Sequence, residues 1–284
     1  MEHGSLDAFV KHVPAGPLAL IFVEDLAEID STIRHHLAAG FRDVAVFAPA
    51  EAVIAPELAP EVHRIPWNPF APQALPRAVN RVIAAARPGT WLYYGYNAEY
   101  LLHPFCETRN VREMLAFHAE ERRSAMLTYV IDLYAPDLAR NPDGVNLAEA
   151  MFDRAGYYAL ARYDAEGRPR ERQLDFFGGL RWRFEEHVSP QQRRIDRISL
   201  FRAAKGLKLR PDHTFNIEEY NTYACPWHNN LTAAVASFRV AKGLKANPGS
   251  SDAVTDFRWY NSVPFEWRGQ QLMDLGLMEP GQWF

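Results

Sequence analysis

Apolar and polar positions along the first hundred residues fall into blocks of alternating period. Leu18 to Val23 is a short, unbroken apolar run after Pro17, the pattern of a strand buried on both faces. Glu24 and Asp25 close it. Ile29, Ile33 and Leu37 then recur at helical spacing, and Gly40 supplies a C-terminal stop. Val44 to Phe47 repeats the strand pattern and ends before Pro49. A third strand is expected at Val62 to Ile65. Pro66, Pro69, Pro72 and Pro76 predict a loop. Ala78 to Ala86 reads as a helix with Val79, Val82 and Ile83 on its apolar face. Trp91 to Tyr94 reads as the next strand. Strand and helix thus alternate, which predicts an open α/β sheet with parallel crossovers.

The period changes beyond residue 100. Val111 to Arg123 reads as a helix, Met126 to Ile131 as a strand, Pro136 to Asp143 as a loop and Ala148 to Ala155 as a short helix. Tyr157 to Tyr163 and Ile198 to Phe201 read as strands, and Leu231 to Leu244 as a helix. From Phe257 the chain is rich in aromatic residues and predicts an irregular arm. The closing run, Leu275 to Phe284, is too apolar for a disordered tail. It is expected to dock on the core or on a second subunit of a homodimer.

Charge sharpens this division. Residues 1–100 hold 7 basic and 11 acidic residues, so the whole formal charge of −4 lies there. Residues 162–210 hold 13 basic against 7 acidic residues. That stretch is either a solvated face of ion pairs or a patch for an anionic ligand. An apolar fraction of 48% in 284 residues excludes intrinsic disorder. The near-neutral total argues against a general nucleic-acid binder. No apolar run approaches the ~20 residues of a membrane span, and the first residues lack the pattern of a secretory signal. Cys106 and Cys225 are the only cysteines, which argues against a disulfide framework. Cytoplasmic placement is the expectation.

Ligands of open α/β sheets sit beyond the carboxyl ends of strands. Glu24–Asp25 and the segment Gly95 to Tyr100 hold that position. Neither is a glycine-rich phosphate loop, so dinucleotide and P-loop readings find little support in the sequence. Either acid of the first pair could accept a hydrogen bond from a ribose or base, or simply end a strand in solvent. Glu99 follows a run of aromatic residues and predicts a buried carboxylate. Tyr96 and Asn97 adjoin it. Further on, Asp175 to Arg183 places Gly178 and Gly179 between aromatic and basic residues. Paired glycines allow close backbone approach. Trp182 offers a face for a sugar, and Arg181 a fork for carboxylate or phosphate. Asp175 is the candidate general base, in competition with Glu185 and Glu186. A tight hairpin whose aromatics fill the core is the alternative. His213 and His228 flank Cys225, but no zinc-binding spacing accompanies them.

The order of these parts resembles the GT-A glycosyltransferases of family two, over roughly residues 18–245. The likeness is carried by Val23 to Asp25 with the following helix and strand to Phe47, by Trp91 to Leu101, by Arg197 to Arg202 through Asp212 and His213, and by Trp227–His228. The resemblance implies a single GT-A-like, Rossmann-like α/β domain with a mixed central sheet. Residues 18–101 would form its nucleotide-binding half, 102–245 its acceptor half, and 246–284 the C-terminal arm. It implies Glu24, Asp25, Tyr96, Asn97, His213 and His228 at the donor, with Glu99 and Asp175 catalytic. Gly178, Gly179, Arg181 and Trp182 would meet the acceptor. In that family two aspartates hold Mg²⁺ or Mn²⁺ against the donor diphosphate; their places here fall on Tyr96 and Ala98, which supply poor oxygen ligands or none. The expected function is sugar transfer from a nucleotide-sugar to a saccharide or lipid-linked acceptor. The alternatives are a catalytically silent module that binds glycan or a protein partner, and a hydrolase using Asp175 with Glu185.

Overall fold

The apolar run after Pro17 is the first strand of a parallel sheet, and all five of its residues are buried. The computed structural model describes residues 1–222 and 230–283. Its helices and strands are α1 (Leu6–Val10), β1 (Leu18–Phe22), α2 (Ile29–Ala38), β2 (Asp43–Ala48), β3 (Val62–Pro66), α3 (Ala74–Ala85), β4 (Trp91–Tyr96), β5 (Glu99–Leu102) and α4 (Val111–Glu120). There follow β6 (Ala125–Tyr134), β7 (Met151–Asp153), β8 (Tyr158–Tyr163), β9 (Pro169–Phe177), α5 (Leu180–Arg183), β10 (Asp196–Arg202), β11 (Ala233–Ser237), α6 (Arg239–Ala246), β12 (Ser262–Pro264) and α7 (Gly269–Asp274). The chain is α/β, with a mixed central sheet of parallel and antiparallel strands.

It divides into two compact units. The first comprises Met1–Leu101, Thr108–Leu127 and Ile198–Asn221; the second comprises Leu102–Glu107, Thr128–Arg197 and Thr222–Phe284.

In the first unit β3, β2, β1 and β4 lie side by side and parallel, in that order. The end of β10 pairs antiparallel with β4, Leu200 opposite Tyr93. Crossover helices explain the parallel pairing: α2 returns the chain from β1 to β2, and α3 from β3 to β4. Phe22 and Phe47 stack on neighbouring strands with centroids 4.6 Å apart. α3 buries Leu75, Ala78, Val79, Val82 and Ile83. It begins before Pro76, earlier than the proline-rich spacing predicts. A proline in the first helical turn lacks only an N–H that has no helical partner there, so it does not stop the helix.

In the second unit β11 runs parallel to β6, β7 antiparallel to it, and β12 antiparallel to β7. β8 and β9 form a separate two-stranded sheet. Two expected helices are corrected. Within Ala148 to Ala155 the chain forms β7, held by Phe152 opposite Leu133 and by its pairing with β12. Within Leu231 to Leu244 a fully buried strand, β11, precedes the shorter helix α6. Its residues, Ala233 to Ser237, are small and would read as helix, but pairing along β6 overrides that propensity. The C-terminal arm contains β12 and α7 rather than being irregular throughout.

The end of the chain docks within its own unit. Thr232 and Glu279 exchange hydrogen bonds, and the buried Trp283 meets His103 and Phe105 at 6.0 and 5.7 Å between ring centroids. Trp283→Ala should therefore cost about 3–5 kcal/mol of stability, measurable as a lower denaturant midpoint; an unchanged midpoint would show that the arm does not support the fold.

Candidate site at the strand ends

The strand order of the first unit reverses between β1 and β4. From β1 the sheet builds outward through β2 and β3, and β4 is then added on the opposite side. In open sheets the crevice at such a reversal is where ligands bind. Glu24, Asp25, Asn97 and Glu99 all come to this place. The backbone N–H of Asn97 donates to Phe22 at 3.0 Å, which extends the β1–β4 ladder by one residue. The side chain of Asn97 is wholly buried. Its Oδ1 accepts the N–H of Glu24 at 2.9 Å. Its Nδ2 faces the carbonyl of Asp25 at 3.1 Å, the carboxylate of Asp25 at 2.7 Å and the carbonyl of Ala27 at 2.8 Å. Asp25 also accepts the N–H of Ala27 at 3.0 Å, an Asx turn within the loop. One amide thus holds the loop after β1 against the end of β4, with Asp25 exposed and Glu24 half-buried.

Only Asn97 and Ala98 separate β4 from β5. Ala98 adopts φ 58°, a left-handed conformation that is costly for a residue with a Cβ. Its N–H is held by Thr32 Oγ1 at 2.8 Å, and that hydroxyl donates onward to Glu28 at 2.6 Å. Glu99 is buried as expected, and its Oε2 accepts the N–H of Tyr96 at 2.9 Å. Close to it lies His36, wholly buried on α2. Nδ1 of His36 meets the carbonyl of Thr32 at 2.8 Å, so Nδ1 carries the proton. Nε2 has no hydrogen-bond partner among the described residues. Burial depresses this imidazole to about 3, with His35 adding to the effect and Glu99 opposing it.

His213 does come to β4, but by way of Tyr94. The two rings stack at 5.8 Å with 8° between their planes, and Nδ1 lies 3.0 Å from the tyrosine hydroxyl. His228 lies outside the described residues. Tyr96 and Ala98 stand where the resemblance would require metal-binding aspartates, and the carboxylates beside them are engaged with Asn97 and with the backbone of Tyr96. This arrangement does not form an oxygen cage for Mg²⁺ or Mn²⁺. Among the described residues no cluster of three or more histidine, cysteine, aspartate and glutamate side chains is placed to hold a metal. None of the helices there is long and apolar enough to cross a membrane.

The other candidates belong to the second unit. Asp175 accepts from Arg162 and from Arg194, each at 2.7 Å. Arg162 also reaches Asp196 at 2.7 Å, and Asp196 accepts the N–H of Phe176 at 2.8 Å. Asp175 is therefore a partner of two guanidinium groups, where a general base would need to reach an acceptor hydroxyl. Arg181 points its fork inward: Nε and Nη2 contact Asp132 at 3.2 and 2.8 Å, and Nη1 donates to the carbonyl of Arg194 at 2.8 Å. The glycine pair admits the protein's own side chains. A Cβ at Gly178 would lie 2.2 Å from the ring of Tyr157, and one at Gly179 2.9 Å from Asp132. Trp182 remains partly exposed, edge-on to Tyr158 and Trp259.

Sequence reasoning missed a second buried network in this unit. Asp153 accepts from Tyr134 at 2.5 Å and from the indole of Trp259 at 2.7 Å. Arg183 lies 3.0 Å from its other oxygen and 4.9 Å from the centroid of the Trp259 ring. Burial raises the carboxyl of Asp153, against the pull of Arg183. A signal existed for the neighbouring Asp132: a single acid inside the apolar run Met126 to Tyr134 must have a buried partner.

A comparison with protein-family models finds none that matches the chain, and a comparison with curated proteins finds no match.

Two outcomes follow from the first unit. Asn97→Ala leaves the N–H of Glu24 and the groups of Asp25 and Ala27 without their buried partner. It should cost about 1–3 kcal/mol and accelerate hydrogen exchange at Glu24; protection equal to wild type would refute the clamp. The second concerns acid. Burial holds His36 at about 3 and His118 at about 4 in the folded chain, so the unfolded chain takes up these protons first. Stability should be full above about pH 6.5 and fall on acidification, by up to about 1.4 kcal/mol per pH unit for each histidine. Denaturant titrations between neutral pH and pH 4 would measure this. A His36→Phe variant that keeps the full slope would exclude its contribution.

Proposed function

We propose that this chain is a glycosyltransferase-like protein that binds a nucleotide-sugar at the carboxyl ends of β1 and β4 and passes the sugar to a saccharide or lipid-linked acceptor. The observation that carries the reading is the convergence of Glu24, Asp25 and Asn97 where the strand order reverses. The exposed carboxylate of Asp25 is suited to accept hydrogen bonds from ribose hydroxyls or a base edge, and its loop is already fixed, so little ordering cost remains on binding. With no metal cage beside Tyr96 and Ala98, the charge developing on the leaving diphosphate would be met by protein cations and hydrogen-bond donors.

A second reading is a module of this fold that binds glycan or a protein partner without transfer. The engagement of Asp175 by Arg162 and Arg194 favours it, because the candidate base is tied up by cations. Both readings include a sheet of nucleotide-binding type, but only the first requires nucleotide.

Thermal unfolding with millimolar UDP, GDP, ADP or dTDP tests the proposal. Binding only the folded chain raises stability by mass action, about 2.7 kcal/mol at a hundredfold excess over the dissociation constant, hence by several degrees. At least one nucleotide should raise the midpoint, and Asp25→Ala should reduce the rise. No rise with any of them, with or without Mn²⁺, would overturn the reading. A rise with no transfer of sugar to any acceptor would select the second.

A further inference from the structure

A well-formed hollow of the first unit lies away from Asp25. It has a volume of about 750 Å³ and opens where β3 ends and α3 begins. Its walls have two characters. Trp67, Ala71, Ala74 and Ala78 make an apolar side in which three of the four side chains are single methyl groups, leaving room for a ring. Arg77, Arg81 and Lys208 make a cationic side, opposed by Asp7 alone. Asp7 is paired with Arg81. Arg77 and Lys208 are exposed, and neither has an acidic partner among the described residues. Lys208 is held in place, because its neighbour Leu209 is bonded through both backbone groups to Asn80 of α3, at 2.7 and 2.9 Å.

The start of α3 adds to the same positive field. Its N-cap is Gln73 in a left-handed conformation with no side-chain cap, and no acidic residue occupies the first turn. A helix start ordinarily attracts acids, since its free N–H groups carry partial positive charge. Here the first turn holds Arg77 instead, and that charge is unfavourable there unless an anion is present. Three cations against one carboxylate leave the lining at +2. A carboxylate ligand would neutralise half of that, whereas a phosphate monoester above its second pKa of about 6 carries a charge near −2. Fork-shaped Arg77 and the ammonium of Lys208 both suit phosphate oxygens.

We propose that this hollow is a binding site for a small organic phosphate, with the phosphate between Arg77, Lys208 and the start of α3 and an apolar or aromatic body against Trp67 and the alanines. It is separate from the nucleotide site proposed at Asp25 and does not rest on it.

Calorimetric titration with phenyl phosphate, inorganic phosphate, benzoate and phenol tests this. Phenyl phosphate should bind in the millimolar range or tighter, and more tightly than the other three. The double variant Arg77→Glu/Lys208→Glu alters two exposed side chains and should keep the thermal midpoint. It should weaken phenyl phosphate by about tenfold or more. Ala71→Trp keeps the charges and fills the space; it should abolish the preference for phenyl phosphate over inorganic phosphate. Asp25→Ala should leave phenyl phosphate binding unchanged, which separates this site from the nucleotide site. The proposal is overturned if phenyl phosphate gives no binding, if the double variant binds it as wild type does, or if all anions bind alike and are lost together as salt is raised.

Discussion

Everything at the strand-end site depends on one buried amide. Parallel strands end in loops that point the same way, but nothing in the sheet itself ties one loop to the next. Asn97 does so by presenting an acceptor to Glu24 and donors to Asp25 and Ala27. A buried amide must find partners for both its ends, so the loop after β1 has one place to be. The strained turn at Ala98 is held by the same means, with Thr32 as its partner. The position of Asp25 is thus a consequence of burial and hydrogen-bond saturation, not of its own contacts with solvent.

Part of the basic stretch over residues 162–210 faces inward in the second unit, while Arg168, Arg172, Lys205, Lys208 and Arg210 are exposed. Arg162, Arg181 and Arg183 are turned inward, onto Asp175, Asp196, Asp132 and Asp153. Truncating one partner of such a pair leaves an uncompensated buried charge, which is far more costly than the pair is favourable. These three guanidinium groups are therefore architecture. Of the two exposed cations that face the hollow, Lys208 belongs to this same basic stretch, whereas Arg77 stands in the acidic first hundred residues, where composition pointed away from it.

The strands of the first unit were legible because β1 to β4 are short apolar runs bounded by turn residues, and buried parallel strands have no other pattern. Asn97 was visible as a neighbour of Glu99, but its clamp was not, since its partners lie far away in sequence. β7 and β11 were misread because their residues pattern like helix, and only the neighbouring strand decides them. α3 was read short because prolines were weighed as breakers without asking where in the helix Pro76 stood. The glycine pair was correctly singled out for close approach, but what approaches is the protein. The hollow beside Trp67 was invisible because its lining comes from the first helix, the β3–α3 loop and a turn beyond residue 200.

The close approach at Gly178 limits how this chain can vary over time. The ring of Tyr157 occupies the space where a side chain at position 178 would begin. Gly178 cannot gain a side chain while Tyr157 stays. A larger residue at 178 would need a smaller one at 157, and it would still have to take φ 156°, a conformation that side chains rarely adopt. Position 178, just past the exit of the β8–β9 hairpin, should therefore stay glycine through evolution, while Tyr157, just before its entry, can become smaller without any exchange at 178.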